Sequence, residues 1–316
     1  MVNPQPHEKT YLAERNQIPS EATSILEQMN PRYAYITIAT SKDYLPGLLT
    51  MFLSLQHTGT PIPLYAMLPS DLVKDEAKTC SRMKSHGINI IEYNNPISIP
   101  QELIDSNDNQ GFQRFSHTFD KLLVFEQTQF DKLVFLDADL FILHNLDHLF
   151  GKQHMCATTA GKSYPGNGDW IDLNSGIMTI VPEKKLPDQF KKLIPSVVET
   201  KKICGDQDIL QAYYTEWPHH PELDMGEKYN VFSYYAHYYE HHLGYKYTND
   251  INDPYSVAVI HFAGEKKPWM QQWSILSVLK QELQLLYFRL IHKRNTTTVL
   301  LEYKHLVRKA RKLLYQ

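Results

Sequence analysis

Apolar and polar positions in this chain fall into blocks whose period changes along its length. Tyr33-Ala34-Tyr35-Ile36-Thr37-Ile38-Ala39-Thr40 is aromatic and β-branched, and reads as a strand. Residues 45–56 place apolar side chains at helical spacing. Residues 63–69 read as a strand, 71–86 as a helix and 88–93 as a strand. This alternation implies right-handed βαβ units and a parallel sheet. Residues 94–116, rich in Asn, Gln and Ser, read as a loop, and a helix over 118–129 leads into a further strand. Beyond residue 150 the pattern is less regular. It gives a loop at 161–168, helices at 183–200 and 206–215, a strand at 257–261, and terminal helices at 274–293 and 298–314. The first thirty residues are polar, with Pro4, Pro6 and Pro19, and predict an arm and a short helix near 21–29.

One block carries chemistry. Leu133-Val134-Phe135-Leu136-Asp137-Ala138-Asp139-Leu140-Phe141-Ile142 is apolar throughout except for two aspartates. Such a run reads as a strand buried on both faces. Unpaired buried carboxylates are strongly unfavourable, so this pair requires compensating positive charge. A divalent cation supplies it, because hard cations take oxygen ligands. Open α/β sheets also bind ligands beyond the carboxyl ends of their strands. The competing reading is a surface turn.

The bulk numbers exclude several classes. At 42% hydrophobic the chain can bury a real core, and a net charge of -3 gives no general attraction to nucleic acid. The three scattered cysteines, Cys80, Cys156 and Cys204, argue against a disulfide framework and a thiolate zinc site. No secretory signal and no membrane-spanning run is read, so the expected setting is cytoplasmic.

Further motifs follow in order. Lys121 precedes the Asp-x-Asp strand, Asn174-Ser175-Gly176 precedes a strand, and Gly205-Asp206-Gln207-Asp208 opens a helix. His261-Phe262-Ala263-Gly264-Glu265-Lys266-Lys267-Pro268-Trp269 follows a late strand. Each alone has an ordinary structural reading: a turn for Asn-Ser-Gly, an N-cap with acids in the first turn for Gly-Asp-Gln-Asp. As an ordered set from Tyr33 to Trp269 they resemble glycosyltransferase family 8, the relatives of glycogenin and of bacterial galactosyltransferases.

That resemblance implies a GT-A fold, a Rossmann-like α/β sheet flanked by helices with C-terminal helices appended. It implies retaining transfer of glucose or galactose from a UDP-sugar to a glycan, lipid-linked or protein-linked acceptor. Asp137, Asp139 and His261 match the metal ligands, with Mn²⁺ expected and Mg²⁺ as the alternative. Lys266 is matched to the lysine at the diphosphate, Lys121 to the basic residue near donor phosphate and sugar, and Tyr44 to the residue stacked on uracil. Ala39 and Thr40 offer backbone groups to the base. Asn174 and Asp206 hold sugar hydroxyls, and Gln207 lies near the anomeric carbon. Ala138, Ser175 and Gly264 complete the donor set. Gln207, Asp206 and Lys121 are the catalytic candidates. The tyrosine-rich segment 229–239 lies roughly where glycogenin carries its self-glucosylated tyrosine, which keeps a self-glycosylating primer as an alternative. A nucleotidyltransferase making nucleotide-sugars is another; it would want a Gly-rich phosphate loop near the first strand, and 40–46 has none.

The expected organisation is an arm at 1–30, a catalytic domain at 31–272 and a helical extension at 273–316. In the last helix, Val299, Leu300, Tyr303, Leu306, Val307, Ala310, Leu313 and Leu314 form one apolar stripe flanked by Lys and Arg. Packing on the catalytic domain is the expectation. Contact with a second subunit, or peripheral contact with the inner face of a membrane, is the alternative.

Overall fold

The strand Tyr33–Ile38 (β1) occupies the middle of the main sheet. In the computed structural model, which describes residues 31–264 and 266–316, Ala34, Tyr35, Ile36 and Thr37 are all buried. A strand covered on both faces requires this. Leu64–Pro69 (β2) pairs with β1 in parallel, and Asn89–Tyr93 (β3) with β2. Lys132–Leu136 (β4) pairs with β1 on its other side, also in parallel. There the apolar run leaves the sheet. Asp137–Asp139 form a break, and Leu140–Ile142 (β5) enters a second sheet. The run is therefore two strands rather than one, which follows from the aspartates: they sit where the chain crosses between sheets. Ile177–Ile180 (β6) returns as an antiparallel edge, giving the order β3-β2-β1-β4-β6. Val231–Phe232 (β7) and Val259–His261 (β8) complete the three-stranded sheet β5-β8-β7.

The main sheet separates two apolar layers. Tyr35 points into one, with Leu45–Gln56 (α1), while Ala34 and Ile36 point into the other. The predicted helix 71–86 breaks into Ser70–Asp75 (α2) and Ala77–Ser85 (α3). At the break, the Glu76 carboxylate takes the Thr79 hydroxyl (2.8 Å). The predicted loop 94–116 contains a helix, Gln101–Asn109 (α4), and a 3₁₀ segment, Gln113–His117. It buries Leu103 and Asn107, and Asn107 donates to Ser116 Oγ and Cys204 O. The predicted helix 118–129 is 3₁₀ over Phe119–Glu126, with Phe119–Phe125 wholly buried. Leu186–Thr200 (α5) and Asp206–Tyr213 (α6) cover the same face. A short helix, Ala236–His242 (α7), follows β7.

Ile275–Leu290 (α8) and Thr296–Tyr315 (α9) end the chain. Tyr33–Gln316 form one compact unit. In α9, Val299, Tyr303, Leu306, Val307, Ala310 and Leu314 are buried in the layer that holds α1. The packing expectation therefore holds, and this covered stripe does not serve as a membrane face. No helix among the described residues is long and apolar enough to cross a membrane. The arm and helix expected at 1–30 lie outside the described residues.

Candidate active site

Two strand ends meet at the Asp-x-Asp turn. The Asp137 N–H donates to Gly176 O (2.9 Å), tying the end of β4 to the start of β6. In the second sheet Leu140 is in register with His261, and the Phe262 N–H donates to Asp139 O (3.0 Å). Sheet pairing thus brings together side chains more than a hundred residues apart. His261 Nε2 lies 3.1 Å from Asp139 Oδ1 and 3.8 Å from Asp137 Oδ2. One ligand atom from each of the three falls within 4.8 Å of the others.

A row of amides fixes the imidazole. His261 Nδ1 donates to Asn230 Oδ1 (2.8 Å), which leaves Nε2 as the ring nitrogen facing the carboxylates. Asn230 Nδ2 donates to Asn174 Oδ1 (2.6 Å), and Asn174 Nδ2 donates to Gln207 Oε1 (2.9 Å). The Ser175 N–H also donates to Gln207 Oε1 (3.1 Å). Gly176 lets the row approach: a Cβ there would lie 2.7 Å from His261 Cε1. His261 Nε2 and the facing carboxylate oxygens would together offer a divalent cation its ligands. Two carboxylates and an oriented imidazole suit Mn²⁺ better than Ca²⁺, since imidazole favours transition metals. The residues present fit a divalent metal. Asn230 was not singled out from the sequence, where a lone Asn carries no signal. Asn230→Leu is expected to weaken Mn²⁺ binding about 10–100-fold, as loss of an orienting partner does; calorimetric titration checks this.

Two buried lysines hold the carboxylates. Lys121 Nζ contacts Asp137 Oδ1 (3.0 Å), Asp206 Oδ2 (2.9 Å) and Ser175 Oγ (3.1 Å). Burial alone would lower the Lys121 pKa, but Asp137 and Asp206 outweigh it and raise it. Lys267 Nζ contacts Asp139 Oδ2 (2.6 Å) and Phe262 O (2.9 Å). Burial would raise the Asp139 pKa, but Lys267 and His261 hold it well below the usual carboxylate range. For Asp137, burial and the nearby Asp139 and Asp206 outweigh Lys121 and His261, and its pKa is raised.

The neighbouring Lys266 is exposed. The structure therefore places Lys267, not Lys266, at the carboxylate centre. The signal was in the motif itself, since its lysine directly precedes Pro-Trp. Asp206 also accepts from the Ser175 hydroxyl (2.7 Å), and its N–H donates to Thr118 Oγ1 (3.0 Å), fixing the start of α6.

The other predicted residues lie around this centre. Ala39 follows β1 with its N–H on Met67 O (3.2 Å), and Thr40 is half-buried. Tyr44 packs edge-on to Trp269 (6.0 Å), whose Nε1–H donates to Asp43 O (2.7 Å). Gly47 permits that approach, because a Cβ would meet the Trp269 ring at 2.5 Å. Ala138 is buried in the turn, and Gly264 is half-buried in the loop after His261. On the other side, Phe232 sits 5.5 Å from His261 and 5.3 Å from exposed Tyr234. Tyr235 stacks on Tyr164 (3.7 Å), and Asn167 donates to the Tyr235 hydroxyl (3.3 Å). The loop 161–172, with exposed Trp170 and Ile171, is thereby pinned beside the site. On α7, His237, Glu240 and His241 also converge, but they lie toward the surface and Glu240 Oε2 accepts the Thr296 N–H (3.0 Å).

Residues 35–272 match the model of glycosyl transferase family 8. The chain is 27% identical over 244 residues to Glycogenin-1 of Caenorhabditis elegans, covering 75% of this chain and 50% of that protein. It is 27% identical over 188 residues to Inositol phosphorylceramide glucuronosyltransferase 1 of Arabidopsis thaliana, covering 59% of this chain and 31% of that one. The chain thus spans half or less of these two relatives. The crystal structure of the glycosyltransferase GlyE from Streptococcus pneumoniae TIGR4 superposes with a TM-score of 0.51 at 17% identity, covering 87% of this chain and 63% of that one. The fold is of the GT-A type.

Proposed function

The chain belongs to glycosyl transferase family 8, and from that premise we propose that it moves glucose or galactose from a UDP-sugar to an acceptor, with retention, in a Mn²⁺-dependent reaction. The observation that carries this reading is the convergence of Asp137, Asp139 and His261 on one point. These three residues would hold the cation, which when bound supplies Lewis-acid stabilisation of the departing diphosphate. Lys267, already inside the site, adds fixed positive charge where negative charge develops. Tyr44 stacks on the base.

Asn174 and Asp206 hold sugar hydroxyls. Gln207 has its oxygen engaged by Asn174 and Ser175, so its NH₂ end is the end presented to the donor. A carboxamide is a poor nucleophile. Asp206 is tied by Lys121 and the Ser175 hydroxyl, which lowers its nucleophilicity too. Both facts support front-face attack over a covalent intermediate. Tyr234 and Trp170 offer exposed rings for the acceptor sugar.

Incubation with a panel of UDP-sugars and Mn²⁺, reading UDP release, tests the proposal; no release with any of them overturns it. Intact-mass spectrometry in the same experiment separates transfer to an added acceptor from transfer to the protein's own tyrosines. Within this reading Lys267→Ala lowers turnover about a hundredfold or more, while Lys266→Ala changes it little; steady-state rates of the two variants check the assignment.

A further inference from the structure

The leucine-rich helix α8 presents its apolar side outward. Ile275, Leu276, Leu279, Leu283, Leu286, Tyr287, Leu290 and Ile291 are all exposed, with Leu276 at 77%, Leu283 at 66% and Leu290 at 71%. Their spacing of three and four makes one continuous stripe along the helix. Only Leu285 on α8 is buried. The helix meets α9 through polar groups instead. Glu282, its one carboxylate, is partly exposed and is paired with His305 (2.9 Å) and Arg308 of α9, and Arg308 also donates to Gln281 Oε1 (2.9 Å). An apolar stripe of this size on a soluble surface marks a contact site.

The charge around the stripe selects the partner. Residues 274–316 hold nine Lys and Arg against two Glu, in a chain whose net charge is -3. The other glutamate, Glu302, lies 3.9 Å from Arg294. Lys280, Arg289 and Lys293 are thus exposed cations on or beside α8, whose one carboxylate is already paired with α9. A second copy of the chain would bring the same cationic segment against itself, and like charges repel. An anionic lipid surface complements both features: leucines enter the headgroup boundary and Lys and Arg meet the phosphates. We propose that α8 docks this protein on anionic lipid surfaces, lying in the interface plane with the Ile275–Leu290 stripe inward. The reading is independent of the reaction catalysed.

Flotation of the full-length protein with phosphatidylglycerol-containing liposomes, against phosphatidylcholine alone, tests this. Binding is expected on the anionic liposomes, weakening from low to high salt as the cations are screened. A triple variant, Leu276→Ser, Leu283→Ser and Leu290→Ser, is expected to lose about tenfold or more in liposome binding. Its melting temperature should hold, because these side chains are exposed in the folded protein. No flotation, equal flotation on neutral liposomes, or undiminished binding by the triple variant overturns the proposal. A dimer in sedimentation that the triple variant abolishes, without flotation of the parent, assigns the stripe to a second copy and equally overturns it.

Discussion

Asp139→Asn is expected to lower UDP-sugar turnover about a thousandfold or more and to lower the melting temperature as well. The first effect follows from the ligand set. A metal acting as a Lewis acid supplies several kcal/mol of stabilisation, and each 1.36 kcal/mol is about tenfold in rate. Asp139 would supply one of the three converging ligands. The second effect follows from Lys267, whose ammonium is buried against Asp139 Oδ2 at 2.6 Å. Asn removes the counter-charge and leaves a buried cation, a change of about 3–5 kcal/mol. The two effects separate in the double variant Asp139→Asn, Lys267→Met. There the melting temperature should recover while turnover stays lost. Turnover by Asp139→Asn within tenfold of the parent would sink the metal assignment.

Deleting residues 298–316 is expected to abolish folding. The segment buries Val299, Leu301, Tyr303, Leu306, Val307 and Leu314. At about 1.5–3 kcal/mol for each large apolar side chain, the loss is comparable to the whole stability of a typical domain, about 5–15 kcal/mol. The site would suffer too. Tyr303 stacks on Phe262 at 3.9 Å and meets Phe141 at 5.2 Å, and Phe262 holds the Asp139 carbonyl. Circular dichroism and the soluble fraction on expression check this. A folded, monodisperse truncated protein would show that α9 is an appendage.

Much of this protein was legible in one dimension. The blocks at 33–40, 45–56, 63–69 and 88–93 fall on β1, α1, β2 and β3, because buried strands and amphipathic helices stamp their period on the residues that fill them. The aspartates stood out because an apolar run tolerates carboxylates only where something compensates them. The stripe of α9 foretold its burial.

Other features needed the fold. Helix α4 buries one leucine, Leu103, beside the hydrogen-bonded Asn107, too little apolar pattern to read as a helix. The run 133–142 reads as one strand, since no local pattern shows a chain changing sheets. Asn230 gains its role only when β7 lies beside β8 and brings it to His261. The sequence makes α8 and α9 both leucine-rich. Only tertiary packing decides that α9 turns its leucines in while α8 meets it through Gln281 and Glu282 and turns all its own but Leu285 outward. Periodicity fixes which residues share a face; what that face meets depends on neighbours distant in sequence.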